Sequence, residues 1–366
     1  MIRILYDFQA FTYQDYGGVS KYFTELLSRL KEQRTVQVIL PFFFTNNTHF
    51  LQRRLENYPS FLPYLEFKGK RKLQYIINRK LSQKFLQKGD YDIFHPTYYD
   101  PYYTDSLRNA PFILTVYDLI DKIFPNKHPK SQILIKRMDE IIPRADKIIA
   151  ISESTKNDLI RIYNIPSNRI HTIHLGYSNY SDSPRIKIKD LPGEYILYVG
   201  KRGEYKNFNF MIEALAPLLR IKNLNIVCAG GGKFDDNEIR ILKELEVTDR
   251  AFYISIMDDS EMVNYYKHAL LYILPSLYEG FGLPILEAFS CNCPVAASNI
   301  SSIPEVAQSG AVYFDPYNKK SIYECIKELL ENSTLQKQLR RQGSNELKRF
   351  SWEETARATC DVYRLF

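Results

Sequence analysis

The chain has 366 residues, of which 45% are hydrophobic and 25% are charged, and its formal net charge is +7. This is the composition of an ordinary globular protein, and the length exceeds one usual core, so we expect two domains. No run of eighteen apolar residues occurs, and the first residues lack the layout of a secretory leader. The sequence therefore predicts no membrane-spanning helix and favours a cytoplasmic location.

Short β-branched segments alternate with longer amphipathic ones, which is typical of parallel sheets with helical crossovers. The strands predicted in the first half are 2–6, 36–40, 93–95, 112–116, 147–151 and 170–174. Those predicted in the second half are 195–199, 225–229, 252–256, 271–274, 295–297 and 312–314, and "MDDSEM" (257–262) is expected to begin a helix. The sequence thus predicts an α/β fold with two Rossmann-like, doubly wound domains.

The boundary between the domains is expected within residues 177–194, which lose the periodicity and gather Ser, Asp, Pro and Gly. We predict an N-terminal domain over 1–180, a C-terminal domain over 181–350, and a final helical segment, 351–366, that packs back on the N-terminal domain. Ligands of open α/β sheets bind outside the carboxyl ends of the strands. A cleft between two facing domains is therefore the expected site.

The positive charge is concentrated in residues 51–90, which hold ten Lys and Arg against Glu56, Glu66 and Asp90. Aromatic and aliphatic residues lie between these charges. A basic and aromatic mixture on helical segments is typical of a surface for anionic lipid headgroups, and a merely solvated basic face is the alternative. No nucleic-acid motif accompanies the segment, so nucleic acid is not a predicted partner.

Two strand ends carry features that suit phosphate. Gly17 and Gly18 follow the first strand and open a helix, which lets the backbone approach a ligand, although a simple tight turn is the alternative. Lys201, Arg202 and Lys206 precede a helix that begins near 207. Cations there oppose the helix dipole unless an anion is present, so we predict a diphosphate site over a solvated loop.

No metal or dinucleotide cofactor is predicted. The run "AGGGKF" after the strand at 225–229 is not the dinucleotide fingerprint, and no Walker lysine motif occurs. No Asp-x-Asp follows a strand at a cleft position, and the five cysteines lack zinc-ligand spacing.

The segment "YEGFGLPILEAF" (278–289) places Glu279 and Glu287 on either side of two glycines and a proline. Pro284 suits the first position of a helix, so we expect Glu279 in the preceding loop and Glu287 in the first helical turn. Both carboxylates would then address one ligand at the helix terminus. For either residue alone, solvation or a dipole contact would be the simpler explanation.

The sequence resembles glycosyltransferase family 4, whose members have the two-domain GT-B architecture. "PSLYEGFGLPILEAFSCNCPVAASNISSIPEV" matches the E-x7-E region of that family, "YVGKRGEYKNF" its diphosphate segment and "YGGVSKY" its glycine-rich loop. "FHPTYYDPYY", "LTVYDLIDKIFP" and "ISESTKNDLI" fit the same family, so the resemblance covers nearly the whole chain. Within the family it is nearest to bacterial enzymes of surface-polysaccharide synthesis.

The resemblance implies a role for each matching residue. Glu279 would contact hydroxyls of the donor sugar, and Glu287 would contact the ribose. Arg202 and Lys206 would hold the diphosphate and stabilise the charge that it gains on leaving. The backbone of Gly280, Phe281, Gly282 and Leu283 would line the sugar and phosphate, and Gly17 and Gly18 would cover the phosphate.

Tyr117 departs from the family pattern, which usually has histidine before the aspartate that is Asp118 here. The resemblance implies that this position faces the donor sugar, and tyrosine there suggests a sugar that lacks a 6-hydroxyl. Asp118 itself is also predicted to be a catalytic residue. His95 lies near a strand end and is either an acceptor-side residue or an ordinary buried histidine.

The resemblance implies a retaining, metal-independent transfer from a GDP- or UDP-linked sugar to a growing oligosaccharide of O-antigen, capsule or exopolysaccharide. The acceptor would be a polyprenyl-linked oligosaccharide, and residues 51–90 would contact the cytoplasmic face of the inner membrane. Two alternatives are a sugar-nucleotide 2-epimerase of the same architecture and a non-catalytic two-lobed sugar-binding protein.

Overall fold

The computed structural model describes residues 1–41, 43–107, 110–125, 131–186, 193–255 and 259–366. The chain divides into two compact units. The first comprises Met1–Gly176 together with Ser351–Phe366, and the second comprises Tyr177–Phe350. The division falls just before the boundary predicted at residue 180.

Among its described residues, the first unit has six strands and seven helices before the chain leaves it. The strands are β1 Ile2–Tyr6, β2 Val36–Ile39, β3 Ile93–His95, β4 Ile113–Val116, β5 Lys147–Ala150 and β6 Ile170–Thr172. The helices are α1 Gln9–Tyr13, α2 Gly18–Leu30, α3 Thr48–Arg53, α4 Lys70–Lys88, α5 Ile120–Ile123, α6 Ser131–Ile141 and α7 Glu153–Tyr163.

All strand pairs of the first unit are parallel, in the orders β2-β1-β3 and β4-β5-β6. An isolated parallel bridge between Phe94 and Phe112 joins the two sets. The chain order therefore reverses where β1 lies beside β3. In sheets of this kind the loops at the carboxyl ends of two such strands form the usual ligand site.

The second unit has six strands and seven helices among its described residues. The strands are β7 Tyr195–Val199, β8 Asn225–Ala229, β9 Ala251–Ile254, β10 Leu271–Leu274, β11 Val295–Ser298 and β12 Ala311–Phe314. The helices are α8 Phe208–Ile221, α9 Asp236–Glu244, α10 Asp259–His268, α11 Leu283–Ser290, α12 Ile303–Ala307, α13 Lys319–Glu331 and α14 Ser333–Glu346.

The six strands of the second unit form one parallel sheet in the order β12-β11-β10-β7-β8-β9. Apolar residues of β7, β8 and α8, among them Ile196, Ile226 and Leu215, are completely buried between the sheet and its helices. The order reverses between β7 and β10, so the loops that follow these two strands meet at the switch point.

The last helix, α15 Trp352–Tyr363, belongs to the first unit. Ser351 caps it by accepting a hydrogen bond from the backbone N–H of Glu354. Gly176 packs so closely on the start of this helix that a Cβ there would lie 2.2 Å from the backbone nitrogen of Trp352, which requires glycine at this position. At the other end of α15, the buried Tyr363 hydroxyl bonds to Tyr6 and to His95.

The twelve predicted strands are confirmed, with ends that differ by one or two residues. Ile256 and residues 257–258, where a strand end and a helix start were predicted, lie outside the described residues. In the described part of the predicted linker, the N–H of Tyr180 bonds to Ser290 Oγ and that of Ile186 bonds to Asn264. Within the described residues, no helix combines the length and the apolar character needed to cross a membrane.

Candidate active site

The "YEGFGLPILEAF" segment connects β10 to α11 at the switch point of the second sheet. Gly282 caps α11 with a φ of 104°, a left-handed conformation that favours glycine, and Pro284 occupies the first turn as predicted. The helix begins at Leu283, so Glu287 is its fifth residue and no acidic side chain lies in the first turn. Glu287 was predicted in the first helical turn and lies just beyond it, because the helix begins at Leu283, one residue before Pro284.

A group of serines holds the loop that precedes α11. Ser302 Oγ donates to the backbone carbonyls of Glu279 and Phe281, at 2.9 and 3.1 Å. Ser301 Oγ accepts from the N–H of Glu279, and Ser298 Oγ donates to the carbonyl of Ser276. The loop is therefore fixed by hydrogen bonds to the segment that follows β11, which preorganises the groups that it carries.

Glu279 and Lys206 form the central ion pair of this site. Lys206 follows β7, Glu279 follows β10, and Lys206 Nζ lies 2.5 Å from Glu279 Oε1. Their side chains are 16% and 11% exposed. Ser276 Oγ donates to the same carboxylate oxygen at 2.6 Å. Glu279 Oε2 makes no hydrogen bond in the described part of the chain, which leaves it available to a ligand.

Lys206 also immediately precedes the start of α8. Asn207 caps this helix in a left-handed conformation, but its side chain makes no capping hydrogen bond and instead donates to the carbonyl of Pro316. Among the described residues, the first N–H groups of α8 thus have no side-chain acceptor, and a cation lies next to them. Both features favour an anion at this position.

Arg202 lies in a different environment from the one predicted. Its side chain is 3% exposed, and its Nε donates to Glu238 at 2.8 Å. Its terminal nitrogens donate to the carbonyls of Gly230, Gly232 and Lys233. In the free protein Arg202 therefore holds the glycine turn after β8, instead of projecting as an open diphosphate ligand.

Three consecutive glycines make this turn possible. Gly230, Gly231 and Gly232 all have φ between 76° and 78°, which other residues rarely adopt. A Cβ on Gly231 would also lie 3.1 Å from Arg202 Nη1. Glu238 completes the arrangement, because its second oxygen accepts the N–H of Asp235 at the start of α9.

Glu287 lies on α11 beside a small cavity that it lines together with Tyr180, Met262, Val263 and Tyr266. The Tyr266 hydroxyl donates to Glu287 Oε2 at 3.2 Å. Burial raises the pKa of Tyr266 well above its usual value, so this hydroxyl stays a proton donor. Gly280 and Gly282 are buried, and the Phe281 ring packs against Phe350, whereas Leu283 is partly exposed.

In the first unit, Gly17 and Gly18 take the predicted place at the start of α2, with Gly17 as its cap. Asp118 accepts the N–H of Ile120 and so shapes the turn before α5. Tyr117 directly follows β4 and is 9% exposed. Its hydroxyl has no hydrogen-bond partner among the described residues, and burial raises its pKa well above the ordinary value.

His95 is completely buried, and both of its ring nitrogens are bonded. Nδ1 lies 2.7 Å from the Tyr363 hydroxyl, and Nε2 lies 2.9 Å from Thr115 Oγ1. The ring also stacks on Tyr6. Burial lowers the pKa of His95 to about 3. This environment is that of a core histidine, the second of the two alternatives considered above.

The serine contacts and the Arg202 partners were missed by the sequence reasoning. "SNISS" (298–302) was quoted only as part of a family match, although its three serines directly after a strand were a usable signal.

Within the described residues, no group of three His, Cys, Asp or Glu side chains has an arrangement that could hold a metal ion.

Comparison with known proteins identifies the family of the chain. The model described as "Glycosyltransferase Family 4" matches residues 16–178, and the one described as "Glycosyl transferases group 1" matches residues 180–346. The architecture is that of a GT-B glycosyltransferase. The chain belongs to glycosyltransferase family 4, and it is an enzyme of that class.

Three relatives illustrate the similarity. The O-antigen chain mannosyltransferase B of Escherichia coli is 29% identical over 290 residues, which are 75% of this chain and 74% of that protein. Sucrose-phosphate synthase from Thermosynechococcus elongatus has a TM-score of 0.76 and 19% identity, over 100% of this chain and 99% of that one. Anabaena HepE in complex with UDP-glucose has a TM-score of 0.71 and 13% identity, over 100% of both chains. The two structures support the fold.

Proposed function

We propose that the protein is a retaining, metal-independent glycosyltransferase that moves a sugar from a nucleoside-diphosphate donor, of the GDP-mannose type, to a growing bacterial surface oligosaccharide. The observation that carries this proposal is the Lys206–Glu279 pair beside two helix termini at the sheet's switch point. The mannosyl donor is suggested by the name of the Escherichia coli relative.

In the proposed reaction, the acceptor oxygen bonds to the sugar's anomeric carbon on the face from which the diphosphate oxygen departs. The acceptor's hydroxyl proton passes to that departing oxygen, so no protein base or covalent intermediate is required. Lys206 stabilises the negative charge that develops on the diphosphate. Glu279 orients Lys206 through Oε1 and has Oε2 left for the hydroxyls of the donor sugar.

The remaining donor contacts are part of the same proposal. Glu287 binds the ribose hydroxyls beside the small cavity, and the backbone of 280–283 lines the sugar and phosphate. Gly17 and Gly18 approach the phosphate with their backbone. Arg202 acts mainly as a positioning residue, because it holds the glycine turn after β8.

Calorimetry with free GDP and UDP, with GDP-mannose and UDP-glucose, and with plain mannose and glucose tests this donor site. We expect the diphosphates to bind far more tightly than the plain sugars, and we expect EDTA to change neither binding nor transfer. Tight binding of plain sugars without nucleotide would support the alternative of a sugar-binding protein and contradict the proposal. Loss of transfer in EDTA would contradict metal independence.

Tyr117 carries two predictions, one about stability and one about the donor. Its buried hydroxyl has no partner among the residues that the structure describes. Tyr117→Phe should therefore unfold at the same or a higher temperature, since it removes an unsatisfied polar group that costs about 1–3 kcal/mol. If the hydroxyl instead binds the donor sugar, the same variant should lose transfer activity. Thermal unfolding and initial rates on one preparation measure both effects.

The matched variant is Tyr117→His, which restores the residue usual in the family. We expect it to shift the preference between hexose donors and their 6-deoxy counterparts. An unchanged preference between GDP-mannose and GDP-rhamnose, its 6-deoxy counterpart, would remove the basis for a role of Tyr117 in donor choice.

We further propose that residues 61–88 dock on an anionic membrane surface. Seven large apolar residues in this stretch are exposed, with Tyr64 at 96%: Leu62, Tyr64, Leu65, Phe67, Leu73, Ile76 and Phe85. Lys72, Arg79, Lys80 and Lys84 are exposed among them. An apolar and basic surface of this kind suits the boundary between lipid headgroups and acyl chains.

Helix α4 buries polar side chains and exposes apolar ones, which supports this docking proposal. The positions that it buries include Gln74, Asn78 and Ser82, which share one face. Asn78 bonds to the backbone of Phe44 in both directions and to Thr12, and Ser82 bonds to the Tyr102 hydroxyl. Polar anchors therefore hold the helix to the core, and several of its apolar side chains are left outside.

Vesicle flotation tests the membrane contact. The protein should float with phosphatidylglycerol vesicles, and not with phosphatidylcholine vesicles. The triple variant Lys72→Glu, Lys80→Glu, Lys84→Glu should bind them about 100-fold more weakly, because each basic residue near such a surface contributes about 1 kcal/mol. The control reverses Lys243, Lys320 and Lys337, which are exposed in the second unit. Equal flotation of both triple variants would contradict the proposal.

A further inference from the structure

Three half-buried tyrosines lie together at the switch point of the first sheet. Tyr13 ends α1 after β1, Tyr98 follows β3, and Tyr75 lies on α4. The rings of Tyr13 and Tyr75 are stacked, with centroids 5.6 Å apart and planes at 24°. The ring of Tyr98 lies 5.7 Å from that of Tyr13. We name Tyr13, Tyr75 and Tyr98, with the ion pair described next, the tyrosine platform.

An ion pair supplies fixed polar groups beside the rings. Asp100 is 5% exposed, and its Oδ2 accepts from the Tyr13 hydroxyl at 3.0 Å and pairs with Arg137 Nη2 at 2.6 Å. The Arg137 side chain is 32% exposed. Among the described residues, its Nε makes no hydrogen bond, so this N–H remains available to an added acceptor group.

Burial and hydrogen bonds hold the residues of the platform in place. Burial, followed by the charge of Asp100, raises the pKa of Tyr75 to about 12, so its hydroxyl stays a hydrogen-bond donor at neutral pH. The backbone under the platform is rigid, because Gln9 Oε1 accepts the N–H of Asp100 and Gln9 Nε2 donates to Asp7. Partly exposed aromatic faces are thus held at fixed positions next to ionic groups.

The platform continues to the end of β4 through a chain of rings. Tyr98 lies 4.9 Å from Tyr99, and the Tyr99 hydroxyl accepts the N–H of Tyr117. Tyr117 is the residue whose hydroxyl lacks a partner among the described residues. Among the described residues, aromatic rings and the unpartnered Tyr117 hydroxyl therefore lie along the carboxyl edge of the first sheet, where ligands of such sheets bind.

This combination matches the chemistry of a sugar ring. A pyranose presents C–H groups on one face, which favour contact with the electron-rich face of an aromatic ring, and it presents hydroxyls around its edge. A partly exposed guanidinium, held in place by a buried carboxylate, offers N–H donors to the hydroxyls of such a ring. An apolar lipid tail would not use the ion pair, and a free phosphate would not use the rings.

We propose that the tyrosine platform binds the sugar residues of the oligosaccharide acceptor, an inference that rests on the proposed transfer to a saccharide. One pyranose stacks on the partly exposed rings of Tyr13 and Tyr98, and Arg137, which Asp100 holds in place, binds its hydroxyls. The platform thereby selects a carbohydrate acceptor and positions its terminal hydroxyl.

Ligand-observed NMR with mannotetraose measures this binding without any need for turnover. We expect saturation transfer to the sugar's ring protons from the wild-type protein, and a strongly reduced signal from Tyr98→Leu, which keeps apolar volume but removes the ring. Tyr13→Phe keeps the ring and should retain most of the signal. The matched control is Tyr163→Leu, since Tyr163 is also partly exposed and bonds to a carboxylate, that of Asp139.

Transfer kinetics with octyl α-mannoside complete the test. Tyr98→Leu should raise the acceptor KM about tenfold, the effect of one aromatic contact, and should leave the donor KM unchanged. No binding of mannotetraose to the wild type, or a Tyr98→Leu protein that is folded and has unaltered binding and acceptor KM, would overturn the platform. Binding that depends on the platform without any transfer would contradict the proposed function alone.

Discussion

Replacing Lys206 by alanine is expected to lower kcat about 100-fold, the scale of removing one hydrogen-bond donor from an oxyanion site. Lys206 Nζ lies 2.5 Å from Glu279 Oε1 and next to the start of α8, where it can reach the diphosphate of a bound donor. The negative charge on the diphosphate grows as the bond to the sugar breaks. The loss should therefore fall mainly on kcat and less on the donor KM.

Two further variants separate this role from a structural one. Lys201 is an exposed lysine of the same loop, so Lys201→Ala should keep near-normal turnover. Lys206→Ala leaves Glu279 without its cation, and adding Glu279→Gln removes that unpaired charge and should recover thermal stability without recovering the rate. A Lys206→Ala enzyme with near-normal kcat would eliminate the leaving-group role.

The acid stability of the first unit should depend on His95. Burial lowers the pKa of His95 to about 3, whereas an unfolded histidine titrates near 6.5. Between these values the unfolded chain binds one proton more than the folded protein, so the free energy of unfolding falls as the pH falls below about 6.5. The contribution is about 1.4 kcal/mol per pH unit and ends near pH 3.

Urea denaturation of the wild type and of His95→Gln, at several pH values between 7 and 4, measures this effect. The variant should be less stable at pH 7, since it perturbs the bonds to Tyr363 and Thr115. Its stability should nevertheless fall less steeply with acid. Asp7 is a buried carboxyl whose pKa is raised by burial, and it acts in the opposite direction in both proteins, so it cancels in the difference. Identical slopes would show that His95 titrates normally.

The fold was largely predictable because its strands are short and β-branched, and most of them are buried on both faces. Each predicted strand is present, since a run such as "YILYV" has no competing helical period. The start of α11 was also predicted to within one residue, from the conformational preferences of Gly282 and Pro284. Local patterns of this kind need no knowledge of tertiary contacts.

The parts of the site that were not predicted depend on residues distant in the sequence. Arg202 has the local pattern of a phosphate ligand, but its environment is set by the glycine turn at 230–232 and by Glu238. Ser301 and Ser302 support Glu279 from the next strand end. The tyrosine platform joins residues from α1, the segment after β3, α4 and α6, and none of these segments reveals the cluster alone.

Proton NMR of one reaction mixture tests the central claim most directly. The wild-type protein is incubated with GDP-mannose, octyl α-mannoside and EDTA, and the anomeric signals are followed in time. We predict a new α-linked disaccharide, formed as GDP appears, and no such product from Lys206→Ala on the same time scale. A β-linked product would contradict retention, and a donor epimerised without transfer would identify an epimerase instead.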